Sequence, residues 1–202
     1  MQIKASFQRA AKALASIALS LLILTSIWVL PTQGASAAPL LTLEDLPAGF
    51  APASTAEASG CQMSGEAIAF VFRSSQLTEL VCTSSFSLAA ATENELQQEM
   101  MRQVVDSLLQ NPQAFVEQAD PTHTKALEIL DAKEIGDIAT GFSLVEPGIG
   151  RTEIVLFRRG DFLNSVLVRY EANQTPIASL TTIAHLLDQR TSSLLPANSN
   201  PA

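Results

Sequence analysis

The sequence predicts an α+β domain: a mostly antiparallel sheet of about six strands packed against helices, in the order β-β-α-α-β-β-β-β-α. Three observations predict it. From Ala126 to Tyr170 the apolar residues recur with period two through four successive runs, joined by turns rich in Gly, Pro and Asp. From Glu95 to Leu109, and again from Pro176 to Leu195, the apolar period lengthens to that of a helix. Strand runs separated from helices, and joined by short hairpins, give an α+β arrangement in which neighbouring strands run antiparallel.

Residues 1–37 stand apart from that domain. Lys4, Arg9 and Lys12, with no acid among them, precede an apolar run from Ser16 to Leu30, and Pro31-Thr-Gln-Gly-Ala-Ser-Ala37 follows. This is the three-part pattern of a secretory signal peptide, and Ala35 and Ala37 supply the two small side chains that a signal peptidase admits. Cleavage between Ala37 and Ala38 is therefore expected. The competing reading is an uncleaved membrane anchor, which needs about 20 apolar residues; Ser16 to Leu30 falls short unless Ala13, Leu14 and Ala15 are added. The junction has no cysteine for a lipid anchor and no twin arginine precedes the apolar run.

Residues 38–195 are expected to form a single domain, followed by a polar tail over 196–202. Three of the 12 Lys plus Arg and none of the 20 Asp plus Glu lie in residues 1–37, so the remainder carries 9 cations against 20 acids, a net charge of −11. Such a surface repels phosphate backbones and anionic headgroups, which argues against nucleic acid and against the membrane except through the signal segment, if that is kept. Two cysteines, Cys61 and Cys82, complete the picture of an exported chain: in an oxidising compartment they are expected to form a disulfide.

Along the domain, Thr42-Leu-Glu-Asp45 places a threonine cap and an acid three residues on, enough for a short helix that Pro47 and Gly49 then stop. Ala51 to Gly60 has no apolar period and reads as a surface loop. Ala67 to Arg73 and Thr78 to Leu88 read as two strands around a Ser74-Ser-Gln76 turn. Thr92-Glu-Asn-Glu95 reads as a capping box for an amphipathic helix, on which Leu96, Met100, Val104 and Leu108 fall at spacing four with Met101, Val105 and Leu109 beside them. Asn111-Pro112 ends it, and Pro112 to Gln118 can open a second short helix. Ala126–Ala132, Ile138–Val145, Glu153–Arg159 and Phe162–Tyr170 are the four later strands, and Arg159-Gly-Asp161 is short enough for a tight hairpin. Ile177, Leu180, Ile183, Ala184, Leu187 and Thr191 form the apolar stripe of the last helix.

No catalytic, cofactor or metal motif emerges. The histidines, His123 in Pro-Thr-His-Thr-Lys and His185 in the last helix, lack ligand-pair spacing, and the chain has no C-x-x-C, H-E-x-x-H or G-x-S-x-G. Asp131, Glu134 and Asp137 lack the order of a calcium loop and read as a solvated turn. Gly148-Ile-Gly150 is followed by a strand where a phosphate loop needs a helix. Asn173-Gln-Thr175 is a glycosylation sequon that matters only in a eukaryotic secretory pathway. Arg159-Gly-Asp161 matches an adhesion tripeptide, yet a hairpin explains it with backbone freedom alone. With its one Trp inside residues 1–37 and Tyr170 its only tyrosine, the chain also has few platforms for stacking a sugar.

Two stretches are similar to segments of small exported bacterial proteins of unassigned function: Leu43-Glu-Asp-Leu-Pro-Ala-Gly-Phe50, and a longer one comprising Ile135-Gly-Asp-Ile-Ala139, Glu153-Ile-Val-Leu-Phe-Arg-Arg-Gly160, the strand to Tyr170 and Ala184-His-Leu-Leu-Asp-Gln-Arg190. The resemblance implies an α/β/α sandwich like that of the extrinsic P protein of photosystem II and of some lipoprotein sensor domains; it carries no site residues. The expectation is an extracytoplasmic protein, of periplasm, thylakoid lumen or medium, that binds a protein partner or small ligand, or serves a membrane complex as an accessory subunit, with no cofactor. The alternative is a hydrolase of envelope material acting through carboxylates such as Glu93, Glu95 or Glu99.

Overall fold

The computed structural model describes residues 38–58, 61, 65–112, 126–146 and 150–195. The segment 1–37 with Ala37, the helix expected up to Gln118 beyond Pro112, His123, Gly148 and the tail 196–202 lie outside the described residues. Strands β1 (Phe50–Pro52), β2 (Glu66–Arg73), β3 (Thr78–Ser87), β4 (Ala126–Leu130), β5 (Ile138–Glu146), β6 (Gly150–Arg159) and β7 (Phe162–Tyr170) form one sheet in the order β1-β2-β3-β7-β6-β5-β4, every pairing antiparallel. The helices are α1 (Thr55–Ala58), α2 (Leu88–Ala91), α3 (Glu95–Gln110) and α4 (Leu180–Leu194). This is the α+β class the periodicities indicate, with one strand more than six.

The extra strand is β1, and with α1 it falls where the sequence reads as a loop. Three residues ending in a proline carry no periodic signal. β1 is a strand because Phe50 and Pro52 pair with Phe72 and Phe70 of β2, so its stability comes from across the sheet. α1 is a single turn held by Ser54, whose amide and hydroxyl both reach the Glu57 carboxylate. The cap of α3 also differs from expectation. Asn94 accepts hydrogen bonds from Leu96 N and Gln97 N at 3.0 and 3.3 Å, while the Thr92 hydroxyl turns to the Gln97 side chain. Asparagine is as good a cap as threonine, and it stands next to the helix.

Alternation sends successive side chains to opposite faces. One face bears Phe70, Val81, Val168 and Phe157, and α4 lies across it with Ile183, Ala184 and Leu187 all within 2 % of complete burial. The segment before β1 joins this core through Leu41 and Leu46, next to Phe50 of β1, and Arg190 of α4 secures it by donating to Leu40 O at 2.8 Å and to Asp45 at 2.7 Å. The other face bears Ala69, Cys82, Leu167, Ile154 and Phe142 in one cross-strand row. Its β2–β3 half is capped by the Cys61–Cys82 disulfide, Cα atoms 5.7 Å apart, with Ala53 and Ala58 alongside. Its β5–β6 half is covered by α3 through Val105 and Leu109.

The β6–β7 hairpin ties both layers to the sheet. Gly160 and Asp161 make a two-residue turn between paired Arg159 and Phe162, and Gly160 has φ 57°, a left-handed conformation that glycine adopts without strain. Because Arg158 and Arg159 are consecutive, they diverge to the two faces. Arg158 makes a two-pronged contact with Asp106 of α3, at 2.6 and 3.0 Å, and Arg159 reaches Asp188 of α4 at 2.7 Å. Asp137 stands between them, accepting from both guanidinium groups at 3.1 Å and from Gly160 N at 2.8 Å. The solvated-turn reading of Asp131, Glu134 and Asp137 holds, all three being exposed around a turn, and Asp137 is in addition the hub of an ion-pair lattice. The turn reading of Arg159-Gly-Asp161 holds, and Asp161 is itself engaged by Arg102 at 2.8 Å.

Candidate functional site

The surface feature that the fold leaves unexplained begins on α3. At 100° per residue, its apolar side chains sweep an arc of about 220°, from Leu96 through Met100, Val104, Leu108, Met101 and Val105 to Leu109. Burial follows that arc. Leu109 is 4 % exposed, Met101, Val104 and Val105 are intermediate, Leu108 is 45 % exposed, Met100 50 % and Leu96 69 %. The sheet therefore takes the Val105–Leu109 edge of the arc, and the Leu96–Met100 edge faces outward. The stripe at spacing four is the outer one, contrary to the usual assignment of such a stripe to a core.

Position in the sheet extends this surface. Arg102 and Asp106 lie on the flank of α3 that reaches the β6–β7 hairpin, so Met101 and Leu108 lie on the opposite flank, toward β5 and the edge strand β4. β4 puts Leu127 and Ile129 on the face that carries α3, since Ile129 pairs with Phe142, which packs with Leu109. Ile129 is 54 % exposed. Leu108 of the helix and Ile129 of the strand are exposed apolar positions, while Leu96 and Met100, about 160° around the helix from the Val105–Leu109 edge, point away from the sheet.

Several acids beside α3 and β4 are held by arginines. Arg102 bridges Glu99 at 2.9 Å and Asp161, Arg158 holds Asp106, and Arg151 lies 3.5 Å from Glu128. Arg102 and Arg158 are each shared between two acids, so this face stays acidic, with the uncharged Gln97, Gln103 and Ser107 among the exposed residues of α3.

A second cluster lies on the α4 face. Glu79 of β3 is fully buried, and its two oxygens accept from Ile177 N at 2.6 Å and Ala178 N at 2.9 Å, just ahead of α4. Burial pushes its pKa above the ordinary glutamate value against the pull of the two amides, and the nearby Glu153 adds to the rise. Tyr170 donates to Glu153 at 2.7 Å, and burial together with that hydrogen bond to a carboxylate raises the phenol's pKa. Perturbed acids can mark a catalytic site. Here both Glu79 oxygens are already occupied by backbone amides, so the group is a latch for the chain entering α4. Neither Glu79 nor Glu153 stands out in the sequence; a lone acid in the β3 alternation, Glu79, is the available signal.

The residues that the sequence did single out are dispersed. Glu93, Glu95 and Glu99 are exposed at the N-terminal end of α3 and just before it. His185 is half-buried on α4, and Asp131 caps the amide of Lys133 at 3.3 Å. Gly150, with φ 135°, opens β6 where a Cβ would stand 2.4 Å from Tyr170 O, a close strand approach that accounts for the glycine. Cys61 and Cys82 are brought together as expected, and Ala38 opens the described residues. Among the described residues no helix is long and apolar enough to cross a membrane. Compared with known proteins, the chain matches no family, no curated sequence and no solved structure.

Proposed function

We propose that this chain is an exported, non-enzymatic domain that works by holding a protein partner on the exposed apolar flank of α3. The observation that carries the reading is the apolar arc of α3, about twice the roughly 100° that one core contact requires, with Leu96 69 % exposed. Contiguous exposed apolar surface rimmed by polar groups is the mark of an interaction site. The disulfide and the signal-like pattern of residues 1–37 support placement outside the cytoplasm, in periplasm, thylakoid lumen or medium. The resemblance to α/β/α sandwich domains speaks to fold alone, and an accessory role beside a membrane complex is one form such partner binding can take. The hydrolase alternative has less support: Glu93, Glu95 and Glu99 stand exposed, and Glu99 is paired with Arg102.

The test is affinity purification of the C-terminally tagged chain from its native host, with intact-mass analysis under non-reducing conditions. The reading expects a processed, disulfide-bonded chain with a stoichiometric companion, lost when Leu96 and Met100 are both changed to Gln. Recovery of the chain alone at native expression counts against it, and a companion that survives both substitutions moves the site elsewhere.

A further inference from the structure

We infer that the α4 face of the sheet carries a buried water-binding site, built by Thr83 and Ser85 of β3 and Asn164 of β7. All three residues are at most 3 % exposed. Thr83 Oγ1, Ser85 Oγ and Asn164 Oδ1 have no hydrogen-bond partner among the described residues. Ser85 pairs with Asn164 across the strands and Thr83 with Val166. Alternation therefore puts the three side chains together on the face that carries Val81, Val166 and Phe157. This is the middle of the sheet, with two strands beyond β3 and three beyond β7. A fourth atom of the same kind, Gln174 Oε1, lies apart in the loop after β7.

The opposite face shows what a closed polar pair looks like at this place. There Ser84 and Ser165, the adjoining cross-strand pair, satisfy each other at 2.7 Å. On the α4 face Ser85 and Asn164 stand opposed without such a bond, and the Asn164 amide nitrogen reaches Phe162 O at 3.5 Å, the limit of a hydrogen bond. β3 lies between β2 and β7, and β7 between β3 and β6, so the backbone groups around the trio belong to the ladders. The buried hydroxyl of α4, Thr191, donates to Leu187 O at 2.8 Å. A buried polar group that gives up water and gains no partner costs more than an ordinary hydrogen bond contributes. Three such groups side by side would cancel a large share of the margin by which a domain stays folded. Bound water removes that cost.

The groups present fit water and not an ion. None of the three carries a charge, and Val81, Val166 and Phe157 wall the site with apolar surface. Opposed residues of an antiparallel pair have Cα atoms about 5 Å apart, and two steps along a strand span about 7 Å. The three oxygens are therefore within reach of one water or a linked pair. Asn164 Oδ1 accepts a proton from water, while each hydroxyl can donate or accept. The set supplies the roughly three hydrogen bonds that an internal water makes.

Two measurements on the full chain, expressed in an exporting host and recovered as processed, test the inference. The first is a crystal structure, in which an ordered water is expected within hydrogen-bond distance of at least two of the three oxygens. The second, magnetic relaxation dispersion of the water oxygen, reads long-lived waters in solution, and their signal is expected to fall in Asn164→Leu. Thr83→Val adds a test by sign, because it is nearly isosteric. With water bound, the change removes a hydrogen bond and is expected to weaken the folding equilibrium about fivefold; with a hydroxyl that has no partner, it relieves a penalty and strengthens folding. A dry site, a Ser85 hydroxyl turned onto Asn164 Oδ1, or a Thr83→Val chain more stable than wild type overturns the inference. If Asn164→Leu does not fold, the crystal structure and the sign of Thr83→Val still decide.

Discussion

α3 and α4 are of nearly equal length and lie against opposite faces of the same sheet, yet the fold absorbs one and leaves the other half uncovered. In α4 the buried positions Leu180, Ile183, Ala184, Leu187, Asp188 and Thr191 fit within an arc of about 140°, and the sheet takes all of it. In α3 the apolar arc is wider by about 80°, and Leu109 is its one fully buried member. The lesson is that amphipathic spacing states how much apolar surface a helix brings, while the receiving surface decides how much is covered. The α4 face offers a continuous row of Val and Phe from several strands; on the α3 face the cysteine-pinned segment already occupies the β2–β3 half.

The largest effect that bears on this contrast is expected at Leu187, completely buried where α4 meets the sheet. Leu187→Ala should cost about 3 kcal/mol through lost burial and the cavity left behind, read from the denaturation midpoint at constant m-value. A cost under about 1 kcal/mol would mean that α4 can settle into the gap, and that the core is looser than its burial implies.

Next in size is the ion-pair lattice that docks the two helices. Asp188→Ala on α4 should cost about 2 kcal/mol, since it strips a partner from Arg159 in a nearly closed site while Asp137 still holds that arginine. The matching change on α3, Asp106→Ala, removes a carboxylate that is 30 % exposed beside an Arg158 also held by Asp137. About 1 kcal/mol is expected there. Equal costs would show that the two helices are docked alike, and would weaken the contrast drawn between them.

Glu79 gives the contrast a pH signature, because it fastens the chain entering α4 and nothing comparable precedes α3. Its folded pKa lies above the ordinary glutamate value of 4.5. Over the window between those two values the folded chain binds more protons than the unfolded one, so the contribution of Glu79 to stability falls as pH rises. Glu57 works in the opposite sense: Ser54, then Arg73, hold it down to about 2, so the stability it adds is present above 4.5 and lost as pH falls through about 2. Measured from about pH 4 to about pH 8, the stability of wild type relative to Glu79→Gln should decline with rising pH. A flat or rising difference would falsify the assignment of a raised pKa to Glu79.

Much of this architecture was legible in the sequence, and what was missed shares a cause. β7 matches its expected bounds and β5 and β6 lie within three residues of theirs, since alternation inside a sheet is a local signal. The Cys61–Cys82 pairing needed only a count of two. β1 was missed because its hydrogen bonds come from β2. The Asp137 hub was missed because its partners lie more than twenty residues away, and Glu79 was passed over because a single acid in a strand does not announce two amides from residues 177 and 178. In each case the determinant is a contact across the fold. The α3 surface is the exception, since the 220° width of its arc can be counted from the sequence alone; only the side facing outward required the structure.

That outward side supplies the smallest expected effect and the sharpest one. Leu96 sits at the solvent end of the arc, with 69 % of its surface exposed, so removing its apolar atoms deprives the folded chain of almost no buried contact. Leu96→Gln should leave the stability of the dilute chain within about 0.5 kcal/mol of wild type, because glutamine is as good a helix former as leucine and meets water at no cost. The same spacing in α4 predicts a loss about six times larger at Leu187, although both leucines look alike in sequence. If Leu96→Gln instead lowers the midpoint by an amount approaching that of Leu187→Ala, the ridge is covered by the chain itself. The surface then has nothing left to offer a partner.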